Sequence, residues 1–146
     1  MIRKILVALD GSEHAEKALD FAVDLAEKYS AEVVLLSIVP YTDLVLVSMV
    51  PSSIKEESYL IKLRDYYKEV LSKALRKTMK IRPNLKVSTK LTEGQPADKI
   101  VETVKEGSFD IIVMGSRGMS GIKEFLLGSV SHRVADKASC AVLIVK

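Results

Sequence analysis

The stretch Gly115-Ser116-Arg117-Gly118-Met119-Ser120-Gly121, followed by Gly128-Ser129-Val130-Ser131, gathers the residue types needed to hold a phosphate chain. Glycine has no Cβ, so the backbone at Gly115 and Gly118 can come close to an anion and can take unusual backbone angles. Ser129 and Ser131 stand where a helix opens. The first N–H groups of a helix lack partners of their own, and the macrodipole is positive at that end. The serine hydroxyls add donors and Arg117 adds a cation. Near the start of the chain, Asp10-Gly11-Ser12 places a carboxylate directly after an apolar run. A glycine cluster alone marks a tight turn, and a serine alone caps a helix. A glycine cluster that leads from an apolar run to a helix start with two hydroxyls points to a bound polyphosphate.

Missing motifs narrow the chemistry. No Gly-Lys-Ser/Thr follows the glycines, so the loop is not a Walker P-loop, and strand 1 leads into a single glycine rather than Gly-x-Gly-x-x-Gly. No Gly-x-Ser-x-Gly nucleophile elbow is present. His14 and His132 read as lone histidines on helix surfaces. Asp20, Asp24 and Glu27 follow helical spacing and read as a wet face. Cys140 is the only cysteine, which excludes an internal disulfide and a thiolate metal cluster; its apolar flank reads as a buried, inert thiol.

These residues need a scaffold. Five apolar runs, Lys4–Leu9, Glu32–Val39, Lys86–Leu91, Asp110–Met114 and Ala141–Val145, alternate with four helical patterns. Most of the runs are continuously apolar, as expected of strands buried on both faces of a parallel sheet. Ser12 is a good N-cap for a first helix with the stripe Ala15, Ala18, Leu19, Ala22 and Ala26. The second helix is expected from Ile54 to Met79, with Leu60, Leu63, Tyr67, Val70, Leu71, Ala74 and Leu75 on one face and Pro83 barring its continuation. A third opens at Pro96, buries Ile100, Val101 and Val104, and stops at Gly107; a fourth spans Ser129–Lys137 and buries Val130 and Val134. This alternation predicts an α/β fold with a doubly wound five-stranded parallel sheet, helices on both faces, and residues 1–146 as one domain. Ligands of such sheets bind beyond the carboxyl ends of the strands where strand order reverses, which is where the glycine loop and Asp10 fall. Periodicity alone leaves two strand orders open, 3-2-1-4-5 and 2-1-3-4-5. The apolar segment Tyr41–Ser53 fits none of these elements and reads as an extra strand, a flap or a partner contact.

Composition excludes several classes. At 146 residues the chain has the length of one ordinary domain. The formal charge of +3 is spread without a basic block, and with no Trp and three scattered Phe a nucleic-acid surface is not expected. No run is long enough for a membrane span, and the start Met1–Val7 does not read as a signal peptide, so a cytoplasmic location is expected.

The pattern Gly115-x2-Gly118-x9-Gly128-Ser129 resembles the ATP-binding signature of the universal stress protein family. Ile5-Leu6-Val7-Ala8-Leu9-Asp10-Gly11-Ser12 resembles the family's first strand and its following Asp, Glu93-Gly94-Gln95-Pro96-Ala97 its third-strand exit, and Ala141–Val145 its last strand. The resemblance implies the order 3-2-1-4-5 and ATP as ligand, with Mg2+ or Mn2+. It places Ala8, Leu9 and Asp10 at the mouth of strand 1, with Asp10 near the ribose or a metal, and the backbone of Ile38 at the adenine edge. Met114, Gly115, Arg117 and Gly118 would follow the phosphates, and Gly128, Ser129, Val130 and Ser131 would hold their tail. Ala8 and Arg117 stand where some members have proline and histidine. The resemblance further implies a homodimer paired through strand 141–145, working as a nucleotide-dependent sensor or regulatory module in stress response. A slow ATPase and a structural dimer with an empty pocket are the rival readings. A phosphorelay receiver would need an acidic pair after strand 1 and an aspartate after strand 3, where this chain has Asp10 alone and Thr92-Glu93.

Overall fold

The computed structural model describes residues 1–40, 49, 54–118 and 127–146, of which 54–57 in backbone only. Strands β1 (Lys4–Ala8), β2 (Glu32–Pro40), β3 (Val87–Gly94), β4 (Ile111–Gly115) and β5 (Ala141–Val145) alternate with helices α1 (Glu13–Tyr29), α2 (Ile54–Ile81), α3 (Pro96–Gly107) and α4 (Ser129–Lys137). All four strand pairings are parallel and the order is β3-β2-β1-β4-β5, so the alternative 2-1-3-4-5 is excluded. The chain moves outward from β1 to β2 and β3, then returns to lay β4 on the other side of β1. That reversal opens a crevice between the carboxyl ends of β1 and β4.

Successive side chains of a strand point to opposite faces, and the core divides accordingly. Ile5, Val7, Val33, Leu35 and Val113 pack with Ala15, Leu19, Ala22, Leu71 and Ala74 under α1 and α2. Leu6, Val34, Leu36, Ile112 and Met114 pack with Ala97, Ile100, Val104 and Val134 under α3 and α4. Fully burying each large side chain contributes about 1.5–3 kcal/mol. The β3 run departs from the expected continuous burial, with Ser88, Thr89 and Lys90 exposed because β3 is an edge strand. The helical spacing of Tyr67, Leu71, Ala74 and Thr78 is what buries one face of α2. That helix runs two residues beyond the expected Met79, and Pro83 follows its end. The Tyr41–Ser53 reading falls almost wholly outside the described residues.

Candidate functional site

The peptide that leaves β1 is fixed before any side chain acts. Leu9 N–H donates to the Leu36 carbonyl at 2.8 Å, and the Leu9 carbonyl accepts from Ser37 Oγ at 2.7 Å. Ser37 is fully buried, so this bond also satisfies a hydroxyl that water cannot reach. The chain then turns. Asp10 Oδ1 accepts from Ser12 N–H at 2.9 Å, and Ser12 Oγ accepts from Ala15 N–H at 3.2 Å, the expected N-cap of α1. Gly11 sits at φ +87°, where side chains are strained, and a Cβ there would lie 2.3 Å from Tyr66 Oη. Tyr66 in turn donates its hydroxyl to the Asp10 carbonyl at 3.2 Å, tying α2 to the turn.

Across the crevice, buried Ser116 organises the exit of β4. Its N–H donates to Val145 of β5 at 2.8 Å, and its carbonyl accepts from Gly128 N–H at 2.7 Å and Ser131 Oγ at 3.0 Å. These bonds hold the start of α4 against the glycine loop. His132 N–H reaches the Gly128 carbonyl at 3.0 Å, so the N–H groups of Ser129, Val130 and Ser131 have no acceptor inside their own helix.

Four expectations about these residues need correction. Neither Gly115 nor Gly118 takes a left-handed backbone; what both require is space. A Cβ on Gly115 would stand 2.8 Å from the His14 carbonyl carbon and 3.0 Å from Ala15 N, and one on Gly118 would stand 2.8 Å from Asp10 Oδ2. Ser131 does not offer its proton outward, because its hydroxyl faces the carbonyls of Ser116 and Gly128, each at 3.0 Å. His14 is half-buried rather than solvated, its Nδ1 3.3 Å from Ser116 Oγ, while His132 is exposed as expected. Cys140 is half-buried rather than buried, and burial pushes its thiol up from the ordinary value.

The crevice is a cavity of about 420 Å3, within the size range of small-molecule sites. Ala8, Leu9, Asp10, Ile38, Met114, Gly115, Arg117, Gly118, Gly128, Ser129, Val130 and Ser131 all line it. Ser12, Ala15, Pro40, Tyr67, Pro96 and Ile100 line it as well. The sequence reading missed these as wall residues because it had assigned Tyr67 and Ile100 to core stripes and Pro96 to a helix start. Their position just beyond the carboxyl ends of β1, β2 and β3, or on helices covering those ends, is the signal that could have found them. Over β2 the wall is Ile38, Pro40, Tyr67, Pro96 and Ile100, a surface for a flat apolar group. Over β4 it is Gly115, Arg117, Gly118, Gly128 and Ser129, a surface for an anion. Asp10 stands at the seam. Among the described lining residues it is the one carboxylate, and no group of three or more His, Cys, Asp or Glu could hold a metal by itself.

The profile of the universal stress protein family matches residues 1–146. The chain belongs to the universal stress protein family. Universal stress protein YxiE of Bacillus subtilis is 38% identical, with all of both chains covered. Among solved structures, hypothetical protein MJ0577 superposes on this universal stress protein with a TM-score of 0.85 at 32% identity, covering 100% of this chain and 96% of its own. A universal stress protein solved in complex with cAMP gives a TM-score of 0.72 at 26% identity, covering 99% of this chain and 97% of its own. The whole-length match agrees with the strand order described above. No helix among the described residues is long and apolar enough to cross a membrane.

Proposed function

We propose that this universal stress protein binds ATP in the β1–β4 crevice and acts as a nucleotide-dependent regulatory module in stress response, as a cytoplasmic homodimer formed by its single domain. The observation that carries the reading is the convergence of Asp10, the Cβ-free Gly118 and the unpartnered N–H groups at the start of α4 on one cavity. The helix start and the glycine loop receive the phosphates, Asp10 meets the ribose, and the apolar wall from Ile38 to Ile100 takes the adenine. The relative solved with cAMP supports an adenine nucleotide as the ligand class.

Asp10 uses Oδ1 on Ser12 N–H and keeps Oδ2 toward the glycine loop. One free carboxylate oxygen fits a divalent ion that arrives already chelated by the phosphates, and Mg2+ or Mn2+ would supply charge neutralisation there. The dimer rests on β5. This strand has β4 on one side and, among the described residues, no strand on the other. It carries Val142, Leu143 and Ile144 half-exposed, an apolar edge of the kind that pairs with a second copy.

The direct test is mass spectrometry of nucleotide released from freshly purified, denatured protein, with calorimetric titration of ATP, AMP and cAMP. An adenine nucleotide recovered near one per chain, or saturable ATP binding, is the expected result. Binding of none of the three at millimolar concentration overturns the proposal.

A further inference from the structure

A second cavity of about 210 Å3 lies between α1 and α2, behind the Asp10-Gly11-Ser12 turn. Its inner surface is Leu9, Ala15, Leu19, Val70 and Ala74, with Tyr66 at one side. The volume exists because α1 and α2 face each other through alanines at Ala15 and Ala74, which leave the space between the helices unfilled. An enclosed apolar void of roughly 150 Å3 accepts a benzene-sized molecule, and this pocket, open to solvent on one side, is larger.

The charges around this cavity are matched. Glu16 pairs with Lys73 at 3.4 Å, Lys77 with Asp20 at 2.6 Å, and Glu69 with Arg76 at 2.7 Å. Every ionised side chain among the described lining residues therefore has its counter-charge on the protein. These pairs lie at the solvent-exposed rim, so the walls within carry no charge, and an ionic guest would give up its hydration there without gaining a partner, which is costly. A neutral guest avoids that cost. Arg82 continues the same row of rungs toward Glu27 at 2.8 Å, so the helices are bridged beyond the cavity rather than collapsed onto it.

From this matched rim and apolar interior we infer that the α1–α2 cavity is a second ligand site, separate from the nucleotide crevice, for a small neutral aromatic molecule of about two fused rings. The two cavities share Leu9, Ser12 and Ala15, and the turn between them is the partition. The inference does not depend on the nucleotide reading, since the second cavity lies between α1, α2 and the back of the Leu9–Ser12 turn, whatever occupies the crevice.

Indole serves as the probe: it is neutral and bicyclic, and the chain contains no Trp to mask its fluorescence. Titration of the full chain with indole, followed by indole emission, should saturate with a Kd below a millimolar. Isotope-filtered NMR on the unmodified protein should give indole contacts to the methyls of Val70, Ala74 and Leu19, and none to Ile100 or Val130 of the nucleotide crevice. Ala74→Leu, which fills the cavity from α2, should weaken indole about tenfold or more, or about 1.4 kcal/mol. The benzoate anion should bind at least tenfold more weakly than indole. Contacts to Ile100 and Val130 instead of Val70 and Ala74 overturn the inference, as does the absence of saturable binding. If Ala74→Leu fails to fold, the NMR contacts on the unmodified chain decide alone.

Discussion

Placing a side chain on Gly118 separates the fold from the site. A Cβ there would lie 2.8 Å from Asp10 Oδ2, closer than real Cβ contacts come, and among the described residues that is its one contact within 4 Å. Gly118 is exposed, so Gly118→Val costs the core nothing. Asp10 must swing away, and the structural loss is its 2.9 Å bond to Ser12 N–H. A hydrogen bond to a charged group contributes about 1.5–3 kcal/mol, which bounds the loss of stability in the free protein. The bound state loses more, because the valine fills the approach to the loop and displaces the carboxylate at once. Ligand at about 100 times its Kd stabilises a fold by roughly 2.7 kcal/mol. With an unfolding entropy near 2.1 cal/mol/K per residue, a chain of 146 residues has about 0.3 kcal/mol/K, so ATP should raise Tm by about 9 °C. Differential scanning fluorimetry with ATP and magnesium should show that shift in the parent and lose it in Gly118→Val. Gly115→Ala should do the reverse damage, lowering the Tm of the free protein, because its Cβ would press on the backbone of His14 and Ala15. A Gly118→Val protein that keeps the full ATP shift would refute the placement of the phosphates.

Hydrolysis should be slow. With one carboxylate in the described wall, and that one held by Ser12, the crevice lacks a separate base aimed at a terminal phosphate, so phosphate release should stay below about one per second; faster release lost in Asp10→Asn would establish an ATPase. The β5 edge should dimerise. Val142→Lys combined with Ile144→Glu should shift light-scattering mass to a folded or partly folded monomer, since both residues also pack on the core under α3 and α4, and a monomeric parent at micromolar concentration defeats this prediction. Asp110, at the opposite end of the sheet, accepts N–H bonds from Arg3 at 2.7 Å and Lys4 at 2.9 Å, which hold its carboxyl below the ordinary range. A depressed folded-state value means stability that is present above the unfolded value of about 4 and is lost as pH falls through the folded one. Asp110→Ala should therefore melt below the parent at pH 7 and converge with it in acid; equal melting at pH 7 contradicts the argument. Burial raises the Cys140 thiol, so iodoacetamide at pH 8, followed by mass spectrometry, should label it more slowly than a free peptide thiol, and equal rates contradict that.

The elements were legible because burial on both faces of a parallel sheet leaves continuous apolar runs such as Ile5-Leu6-Val7 and Ile111-Ile112-Val113. Helix ends were legible where local chemistry decides them, as at Ser12 and Pro96. The edge strand β3 was harder, since Ser88, Thr89 and Lys90 report solvent rather than a strand. Strand order was open on periodicity alone because it is set by which helix packs on which face, a contact between residues far apart in the chain. The same distance hid Tyr67, which lines the crevice from α2, and Ser37, whose hydroxyl fixes Leu9. The role of Ser131 was misread for a different reason. A serine in the first turn of a helix can donate outward or inward, and only the position of the Ser116 carbonyl decides.

What the crevice offers an anion is mostly backbone and empty space. The donors at α4 are main-chain N–H groups, and the key residues of the loop matter for the Cβ atoms they lack. Such a site is specified by the path of the chain, and that path is held by Leu9 against Leu36 and Ser37, and by Ser116 against Val145, Gly128 and Ser131. Side chains elsewhere can therefore vary widely, which fits relatives that cover the whole chain at 38% and 32% identity. Among the described lining residues Asp10 is the one carboxylate. Backbone amides can bind phosphate oxygens but cannot take up a proton, so hydrolysis in such a pocket would need a separate base. Arg117 and Asp10 add charge at its edges, and the Asp10 carboxylate is already engaged through Oδ1 by Ser12 N–H. On the proposed reading, a nucleotide in the crevice would act first on α4 and, through the Ser116–Val145 bond, on the edge strand β5.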